Sequence, residues 1–579
     1  MAEDHNRKTD PGHYNRRTFM ALLSALGATG LAGCGDDGSE NDTPTGTSAD
    51  TPTETTDNGD GDTPTGTPTA TAPPPTPTTE FDPVVYPRPD DAGVVFGEGV
   101  DGLSGLSTTP PNLGINEVPT YEEDSNTGWE LADDGSYFKT REDTGNKWTR
   151  DQLGDVHLHV EFSPPDNAND ASEQRSGNSG IFLMDDYEIQ VLNNYDNDAG
   201  YGGGFAGALY QDAPPLVDPA RSPTDWNAFD IIWTAPEFDD DDNVRTPATV
   251  TIFFNGVVVL PHINVRGPNF GGVTPYNSHP EEVTVRLQDH AGISDVSYRN
   301  IWYQTIPPQS ETDGVSTFRQ QYEYDAFDSA SSTDDYISEP YNASFPEDYR
   351  ENEGNDYGPP IIEKPGPDLA EPPADGQLST VPGDATVLLE GGNMSGFADP
   401  GWSVGGDGGF VTVEPGAGNI TSEATFGDSQ VHVEFRIPEG ADSPDSGVLL
   451  DDRYEINIAA EGTGKEGTGA YTYQAAPLRD ATRSAGEWQA FDIVYQGPRF
   501  EDGALLSRPG RVTVLLNGRV VQQRLYLDGP NAGGDGEVGN YQPQEAQEPI
   551  SLQENGSPVD FRYVWARELY PDEQREGYQ

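Results

Sequence analysis

Short segments in which apolar and polar residues alternate occupy most of the chain from about residue 84 onward. In VHLHVEF, for example, Val156, Leu158 and Val160 fall on one side of an extended strand, and the polar residues between them fall on the other. Gly, Pro, Asn and Asp separate these segments, and none has the pattern of a long amphipathic helix. The alternation predicts strands with one buried face, as in an all-β sandwich.

The same segments occur twice, in the same order. NSGIFLMDDYEIQVL at residues 178–192 returns as DSGVLLDDRYEINIA at residues 445–459. Four further pairs are LYQDAPP and TYQAAPL, RSPTDWNAFDII and RSAGEWQAFDIV, RLQDHAG and SLQENGS, and YRNIW and FRYVW. In VTIFFNGVVVL and VTVLLNGRVV, an Asn-Gly pair between β-branched runs predicts a two-residue type I′ hairpin. The chain is therefore predicted to contain a duplicated domain.

Composition divides the remainder of the chain. Residues 35–83 are rich in Thr, Pro and Asp and lack apolar periodicity, which predicts a disordered tether. Residues 307–382 are acidic and Pro-rich, which predicts a linker with some local packing rather than a third domain. The predicted order is a signal at 1–34, the tether at 35–83, a first domain at 84–306, the linker at 307–382 and a second domain at 383–570.

The charge of the chain restricts its partners. The 579 residues include 100 acidic and 31 basic ones, a formal net charge of −69. Such a surface repels phosphate backbones and anionic lipids, which argues against a nucleic-acid partner. At about 1 M salt the Debye length falls to roughly 3 Å, and most of the self-repulsion is screened. We therefore expect a halophilic protein that is more stable in concentrated salt.

The N-terminal residues predict export. Arg16 and Arg17 precede an apolar run, residues 19–32, that is too short to span a bilayer. The segment resembles a twin-arginine signal, and residues 31–34 resemble a lipoprotein cleavage motif ending in Cys34, the only cysteine. We expect a lipid anchor at Cys34 on the outer face of the cell membrane, and the membrane as a partner only through that anchor. A free thiol in a disordered tail is the alternative.

Candidate chemistry begins on the strand DYEIQV. Glu188 and Gln190 fall on the face opposite to Tyr187, Ile189 and Val191. A carboxylate beside an amide on a polar sheet face suits sugar recognition with one base. The alternative is that Glu188 is a solvated strand residue.

Other candidates lie on neighbouring strands. His157 and His159 share a face with Glu161, a spacing that presents either a base or a metal ligand set, or simply an outward polar face. Further acid-base or substrate-binding candidates are Asp289, His290, Gln211, Arg299 and Trp226. NYDNDAG at residues 194–200 loosely resembles a calcium loop, although Ala199 stands where Gly is wanted. No cofactor is predicted with certainty; calcium or another divalent metal is left open, and so is the oligomeric state.

Taken together, these motifs resemble the 3-keto-disaccharide hydrolase domain over about residues 90–306 and 383–570. The resemblance implies two tandem jelly-roll β-sandwiches of the concanavalin A-like lectin and glucanase kind. It also implies a carbohydrate substrate, a glycoside whose sugar is oxidised at C3. Such a ketone acidifies the proton on C2, so a base can remove it while the aglycone leaves from C1, and water then adds. This path needs one base and an acid or electrophile, not a nucleophilic carboxylate.

The two copies differ mainly in their polar residues. Glu188 is retained as Glu455 and His159 as His432, and Gln211 is aligned with Gln474. In contrast, the second copy has Asn457 for Gln190, Gln430 for His157 and Asn555 for His290. Because histidine is the side chain best suited to proton transfer near neutral pH, we expect the first domain to be catalytic. The second is expected to be altered in specificity or reduced to binding; a tandem lectin-like module that binds polysaccharide without cleaving it is the alternative.

Overall fold

The structure, a computed structural model, is all-β and describes thirteen stretches of the chain within one compact unit, Thr78–Gln579. The described residues are 85–108, 129–140, 145–166, 176–195, 204–270, 272–290, 295–308, 376–378, 381–398, 401–405, 408–501, 505–531 and 538–569. The predicted signal, tether, calcium-like loop from residue 196 and most of the linker lie outside these residues. Within these stretches, no helix is long and apolar enough to cross a membrane.

The first domain contains an eight-stranded and a five-stranded antiparallel sheet. The eight-stranded sheet has the order β14-β13-β10-β7-β16-β5-β4, with β2 also paired to β16. Its strands are β2 Gly93–Phe96, β4 Glu130–Leu131, β5 Phe138–Lys139, β7 Val156–Ser163, β10 Asn227–Thr234, β13 Thr249–Phe254, β14 Val257–Asn264 and β16 Ser297–Thr305. The five-stranded sheet, in the order β3-β6-β15-β8-β9, contains β3 Leu106–Ser107, β6 Lys147–Leu153, β8 Ser179–Leu183, β9 Tyr187–Val191 and β15 Val283–Leu287. A separate hairpin pairs β11 Glu237–Phe238 with β12 Val244–Thr246.

The second domain repeats this topology. Its eight-stranded sheet, in the order β20-β21-β32-β23-β26-β29-β30 with β18 on β32, contains β18 Thr386–Leu389, β20 Ser403–Val404, β21 Val411–Thr412, β23 Ser429–Arg436, β26 Gln489–Gln496, β29 Arg511–Leu516, β30 Arg519–Tyr526 and β32 Asp560–Glu568. Its five-stranded sheet, in the order β19-β22-β31-β24-β25, contains β19 Phe397–Ala398, β22 Ile420–Phe426, β24 Asp445–Leu450, β25 Tyr454–Ala459 and β31 Glu548–Leu552. A hairpin of β27 Arg499–Glu501 and β28 Leu505–Arg508 corresponds to β11 and β12. The predicted all-β fold of two tandem sandwiches is confirmed.

In each domain the core lies between the two sheets. Leu158 and Val160 of β7 and Ile189 of β9 are fully buried in one apolar cluster. Because strand residues alternate between faces, the polar residues of β7 and those of β9 point away from this core in opposite directions. The sequence pattern predicted each face correctly but did not indicate that the two polar faces lie on opposite sides of the sandwich.

The predicted hairpins join β13 to β14 and β29 to β30. Asn255 and Gly256 both have positive φ, 51° and 78°, and Asn517 and Gly518 repeat them at 53° and 75°. These angles are the ones a type I′ turn requires, and Asn and Gly tolerate them best.

The two domains pack against each other through the outer faces of their eight-stranded sheets. Apolar residues at equivalent strand positions meet there, and they belong to one buried cluster: Ile232, Phe253 and Val258 of the first domain and Val494, Leu515 and Val520 of the second. The hairpin of the first domain contacts Gln430, whose amide accepts a hydrogen bond from Val258 N at 2.9 Å and donates one to Gly256 O at 2.8 Å. On the other side Arg519, beside the second hairpin, pairs with Asp91 at 2.7 Å.

Polar groups at this interface are buried as well. His262 of β14 contacts Thr513 Oγ1 at 2.7 Å and Gln496 Oε1 at 3.2 Å through its two ring nitrogens. Burial, followed by the nearby Arg511, holds the pKa of His262 well below its ordinary value, so the ring is neutral. A segment of the predicted linker, β17 Gly376–Leu378, pairs with β1 Val85–Pro87 at the start of the first domain in a separate two-stranded sheet.

Candidate functional site

The outward face of the five-stranded sheet of the first domain, called the site face below, carries the candidate site. Cross-strand pairing places its side chains in two rows. One row contains Trp148, Arg286, Phe182 and Glu188. In the next row Gly180 stands beside Gln190.

Glu188 is the central group of the site face. Its side chain is only 4% exposed, and burial, partly opposed by the positive charge of Arg286, raises its pKa to about 8. Its backbone N–H donates to Asn269 Oδ1 at 2.6 Å, and its carbonyl accepts from Asn269 Nδ2 at 3.2 Å. A carboxyl group whose pKa lies near working pH is suited to proton transfer in either direction.

A glycine makes the space for this carboxyl group. A Cβ atom on Gly180 would lie 2.6 Å from Glu188 Oε1 and 2.7 Å from a ring carbon of Phe182. The Gly of the NSG motif is therefore required by the neighbouring Glu rather than by its own backbone conformation. The second domain repeats the arrangement with Gly447 and Glu455.

Arg286 is fixed beside Glu188 by a carboxylate and an aromatic ring. Its guanidinium lies 3.8 Å from the ring centre of Phe182 and 5.4 Å from that of Phe270. Arg286 Nε lies 2.7 Å from Asp185 Oδ1, which also accepts a hydrogen bond from Trp148 Nε1 at 3.1 Å. Phe270 is 57% exposed, and its ring centre lies 5.4 Å from that of Phe182. The site face therefore places one cation and the exposed ring of Phe270 next to the buried carboxyl group.

Amide and hydroxyl groups complete the surroundings of Glu188. Tyr210 N donates to the Glu188 carbonyl at 3.0 Å. The pKa of the Tyr210 hydroxyl is raised, chiefly by burial, with a smaller contribution from Glu188. Gln190 is held in place because its amide donates to Asn178 Oδ1 at 3.0 Å and to two backbone carbonyls. Gln288, two residues beyond Arg286, is buried, and its Oε1 has no hydrogen-bond partner among the described residues.

The corresponding face of the second domain keeps the carboxylate and loses its neighbours. The row equivalent to Trp148, Arg286, Phe182 and Glu188 is Thr421, Ser551, Leu449 and Glu455. Phe270 corresponds to Ala532 in the sequence. Burial raises the pKa of Glu455 to about 7, and Gln553 Nε2 donates to its Oε2 at 3.2 Å. The two faces thus differ most at the cation and the aromatic residues, which the sequence comparison did not identify.

The expected correspondence of Gln211 with Gln474 is wrong. Gln211 and Tyr473 share the positive φ of this loop, 54° and 67°, and so occupy equivalent positions. Gln474 instead corresponds to Asp212: each accepts a hydrogen bond from a backbone N–H on the following strand connection, Arg266 N at 3.0 Å and Asp528 N at 2.7 Å. Both motifs contain Tyr-Gln, and that shared dipeptide caused the shift by one residue.

His157 and His159 lie on the outer face of the eight-stranded sheet, across the core from Glu188. Both are fully buried and contact Asp230 Oδ1, at 3.1 Å and 2.8 Å. Burial disfavours a charged His159, but Asp230 and then Glu161 outweigh it and raise its pKa to about 9. These histidines therefore do not converge with Glu188 on one cavity. In the second domain Gln430 stands at the position of His157. It contacts the first domain at the interface, so this difference does not alter the candidate site.

Arg299 and Trp226 belong to this second face as well. Arg299 Nε donates to Glu161 Oε2 at 2.5 Å, and its guanidinium lies 4.2 Å from the ring centre of Trp226. The second domain retains this network, except for His157, as His432, Asp492, Glu434, Arg562 and Trp488. This ion network is present in both domains, whereas the site face differs between them. Such a distribution indicates a structural role for the network.

Asp289 and His290 follow β15, the strand that carries Arg286. Asp289 Oδ2 accepts a hydrogen bond from Gly145 N at 2.8 Å, and His290 is exposed. His290 lies three residues beyond the end of β15, so strand alternation does not place it on the site face. Among the residues that the structure describes, no group of three or more His, Cys, Asp or Glu side chains is placed to hold a metal ion.

Gly180→Ala is expected to displace the Glu188 carboxyl group, because the added methyl would overlap its Oε1. We expect turnover to fall by about 10²-fold, the usual cost of a misplacement of about 1 Å, and unfolding free energy to fall by about 1–3 kcal/mol. The matched variant Gly447→Ala has the same steric consequence next to Glu455 and is expected to leave turnover nearly unchanged. Initial rates and chemical denaturation measure both, and equal losses of turnover in the two variants would contradict the assignment of the site face.

Several solved structures are similar to part of this chain. A protein from Parabacteroides distasonis described as a glycosyl hydrolase is 30% identical over 33% of this chain and 85% of its own, with a TM-score of 0.30. A second protein of the same description and organism is 16% identical over 38% of this chain and all of its own, with a TM-score of 0.27. A carbohydrate-binding module from Bacillus subtilis is 11% identical over 32% of this chain and 95% of its own, with a TM-score of 0.18. No curated protein matches the chain.

The family match is more extensive. Residues 118–304 and 384–567, together more than half of the chain, each match the 3-keto-alpha-glucoside-1,2-lyase-like domain. The chain is thus a glycosyl hydrolase-like, carbohydrate-active protein, and it belongs to the 3-keto-alpha-glucoside-1,2-lyase-like family through two copies of that domain.

Proposed function

We propose that the protein cleaves the glycosidic bond of 3-keto-glycosides outside the cell, through the site face of the first domain. The observation that carries this proposal is the buried Glu188 carboxyl group, with a pKa of about 8, beside the fixed cation Arg286. The family supports the substrate class, and the exposed ring of Phe270, packed against Phe182, suits the apolar face of a sugar ring.

In the proposed reaction, ionised Glu188 takes the proton from C2 of the keto sugar. The C2–H electron pair forms a C1–C2 double bond through the enolate, and the bond from C1 to the aglycone oxygen breaks. Arg286 is the cation on the site face that stabilises the enolate oxygen on C3. The aglycone oxygen leaves with its electron pair and gains a proton; water then adds across the double bond, its hydroxyl at C1 and its proton at C2.

The second domain lacks the parts that this reaction needs besides the carboxylate. Ser551 replaces the cation, and Leu449 replaces the aromatic ring beneath it. Glu455, Asn457 and Gln553 can still form hydrogen bonds with a sugar. The second domain is therefore a binding or inactive copy. If the first domain also fails to turn over substrate, the protein is one that only binds polysaccharide.

Turnover in D₂O tests this mechanism. A 3-keto-disaccharide is expected to yield a product that carries deuterium at C2, whereas the parent disaccharide without the ketone is expected not to react. Because Glu188 must be ionised to act as a base, the rate is expected to rise with pH and level off above about 8. Equal turnover of the parent disaccharide, or retention of the original C2 hydrogen, would contradict the elimination mechanism and indicate ordinary glycosidase chemistry.

The proposed location outside the cell is based on the N-terminal residues, and substitution of Cys34 tests it. Cys34→Ser is expected to move the protein from the membrane fraction to the medium, because the lipid attached to Cys34 would be the anchor. Fractionation and mass analysis of the new N-terminus measure this. The anchor is refuted when the Cys34→Ser protein remains in the membrane fraction like wild type.

A further inference from the structure

Three exposed asparagines of the second domain begin Asn-Xaa-Ser/Thr triplets, the acceptor pattern for N-linked glycans. They are Asn393 with Ser395, Asn419 with Thr421, and Asn555 with Ser557. Two further triplets begin at Asn41 and Asn342, outside the described residues. The first domain, residues 84–306, contains none. Acceptor sites are thus concentrated in one of two otherwise matched domains.

All three asparagines border the same sheet. Asn393 lies in the turn before β19, Asn419 directly precedes β22, and Asn555 follows β31. These three strands are neighbours in the five-stranded sheet of the second domain, with the order β19-β22-β31. The acceptor sites therefore flank the face that corresponds to the site face of the first domain.

Two of the three triplets depend on residues that differ between the two domains at or beside this face. Thr421, which completes the triplet of Asn419, occupies the position of Trp148. Asn555 occupies the position of His290 in the aligned QDHAG and QENGS segments. The Thr that completes one triplet and the Asn that begins another thus stand where the first domain has Trp148 and His290.

We infer that Asn393, Asn419 and Asn555 carry N-linked oligosaccharides that cover the five-stranded face of the second domain. This inference rests on the export that forms part of the proposed function. The donor is a lipid-linked oligosaccharide phosphate, supplied with its transferase by the cell. The side-chain nitrogen forms a bond to C1 of the first sugar, the bond from C1 to the phosphate oxygen breaks, the lipid phosphate leaves, and the amide releases one proton.

The side-chain contacts of the acceptors are compatible with this reaction. Asn419 uses its Oδ1, which accepts from Glu554 N at 2.9 Å, and Asn393 uses its Oδ1, which accepts from Ser395 N at 3.1 Å. Asn555 Nδ2 donates to Asp445 Oδ2 at 2.6 Å. A glycosylated asparagine keeps one hydrogen on that nitrogen, so this last contact persists after modification.

These oligosaccharides would change what the second domain can bind. Glycans attached at three points around its five-stranded sheet would exclude a polysaccharide from Glu455, so this face becomes a covered surface rather than a second binding site. The site face of the first domain, which has no acceptor triplet, stays open.

The test is mass analysis of peptides from the full chain recovered outside the cells that produce it. We expect oligosaccharide masses on peptides containing residues 393, 419 and 555, and the stepwise loss of one such mass with each Asn→Gln variant. Ser395→Ala and Ser395→Thr form a matched pair at an exposed position: Ala is expected to abolish the glycan on Asn393, and Thr to retain it. Asn277→Gln, at an exposed asparagine of the first domain outside any triplet, is expected to change no glycan mass.

The outcomes separate this inference from the proposed enzyme activity. A chain processed at its N-terminus whose three asparagines are bare overturns the inference alone, and turnover of the 3-keto-disaccharide by the same sample is unaffected. A chain that retains residues 1–33 and bears no glycan overturns both the inference and the proposed location. Glycan loss in Ser395→Ala but not in Ser395→Thr confirms the acceptor at Asn393.

Discussion

Glu188→Gln is expected to lower turnover by about 10²- to 10⁴-fold while leaving the affinity for the sugar within a few-fold of wild type. The amide keeps the shape and the hydrogen-bonding atoms of the carboxyl group but cannot accept the C2 proton. Steady-state rates and calorimetric binding of the same 3-keto-disaccharide measure the two effects separately.

The same substitution is expected to stabilise the fold at alkaline pH. The pKa of Glu188 is raised from 4.5 to about 8 by burial, so between these values the unfolded chain has lost a proton that the folded chain keeps. Stability of the wild type therefore falls as pH rises from about 4.5 to 8, and the Gln variant lacks this loss. Its advantage should be absent below pH 4.5 and reach a few kcal/mol above pH 8.

Glu455→Gln is the matched control. The pKa of Glu455 is about 7, so a smaller gain in stability is expected, together with little change in turnover because the second domain has no equivalent of Arg286. Equal losses of turnover in the two variants would show that the differences between the two faces do not matter to the reaction.

Asp230→Asn is expected to cost about 3–5 kcal/mol of unfolding free energy without affecting the turnover of the molecules that remain folded. Asp230 balances His159, and removing one member of a buried ion pair leaves the other charge uncompensated. The folded-state pKa of His159 is about 9, above its unfolded value of 6.5. Its contribution is therefore fully present below pH 6.5 and is lost as pH rises through 9, so the cost of the substitution should shrink over that range.

Asp492→Asn tests the same network in the second domain, where His432 also has a pKa of about 9. Denaturation curves of both variants at pH 6 and pH 9.5 should show the same trend. A folded Asp230→Asn protein that loses turnover as completely as Glu188→Gln would place the chemistry on the eight-stranded sheet and contradict the site face.

Much of the fold follows from local sequence. Alternation defined the buried side of β7 and β9, and Asn255-Gly256 fixed a hairpin, because both depend on neighbouring residues alone. The site required more than alternation. His159 and Glu188 have the same pattern on their strands, and only the assignment of each strand to a sheet shows that they lie on opposite sides of a core.

Arg286 illustrates why the rest of the site could not be predicted. In VTVRLQ it reads as an ordinary outward polar residue, and its importance comes from Phe182 and Asp185 on a strand pair about 100 residues earlier. A comparison of the two copies position by position, Arg286 against Ser551, was the available signal. The aligned segments RLQDHAG and SLQENGS already place these two residues opposite each other.

The interface between the two domains uses equivalent positions on both sides, for example Ile232 and Val494 of β10 and β26. An isologous contact of this kind is the normal arrangement of a two-fold symmetric homodimer, here contained in a single polypeptide. Covalent linkage replaces a concentration-dependent association by an intramolecular one, so the pair stays assembled at any dilution. Because the shared surface is formed by the eight-stranded sheets, the two five-stranded faces point away from each other, so the linked pair presents them on opposite sides.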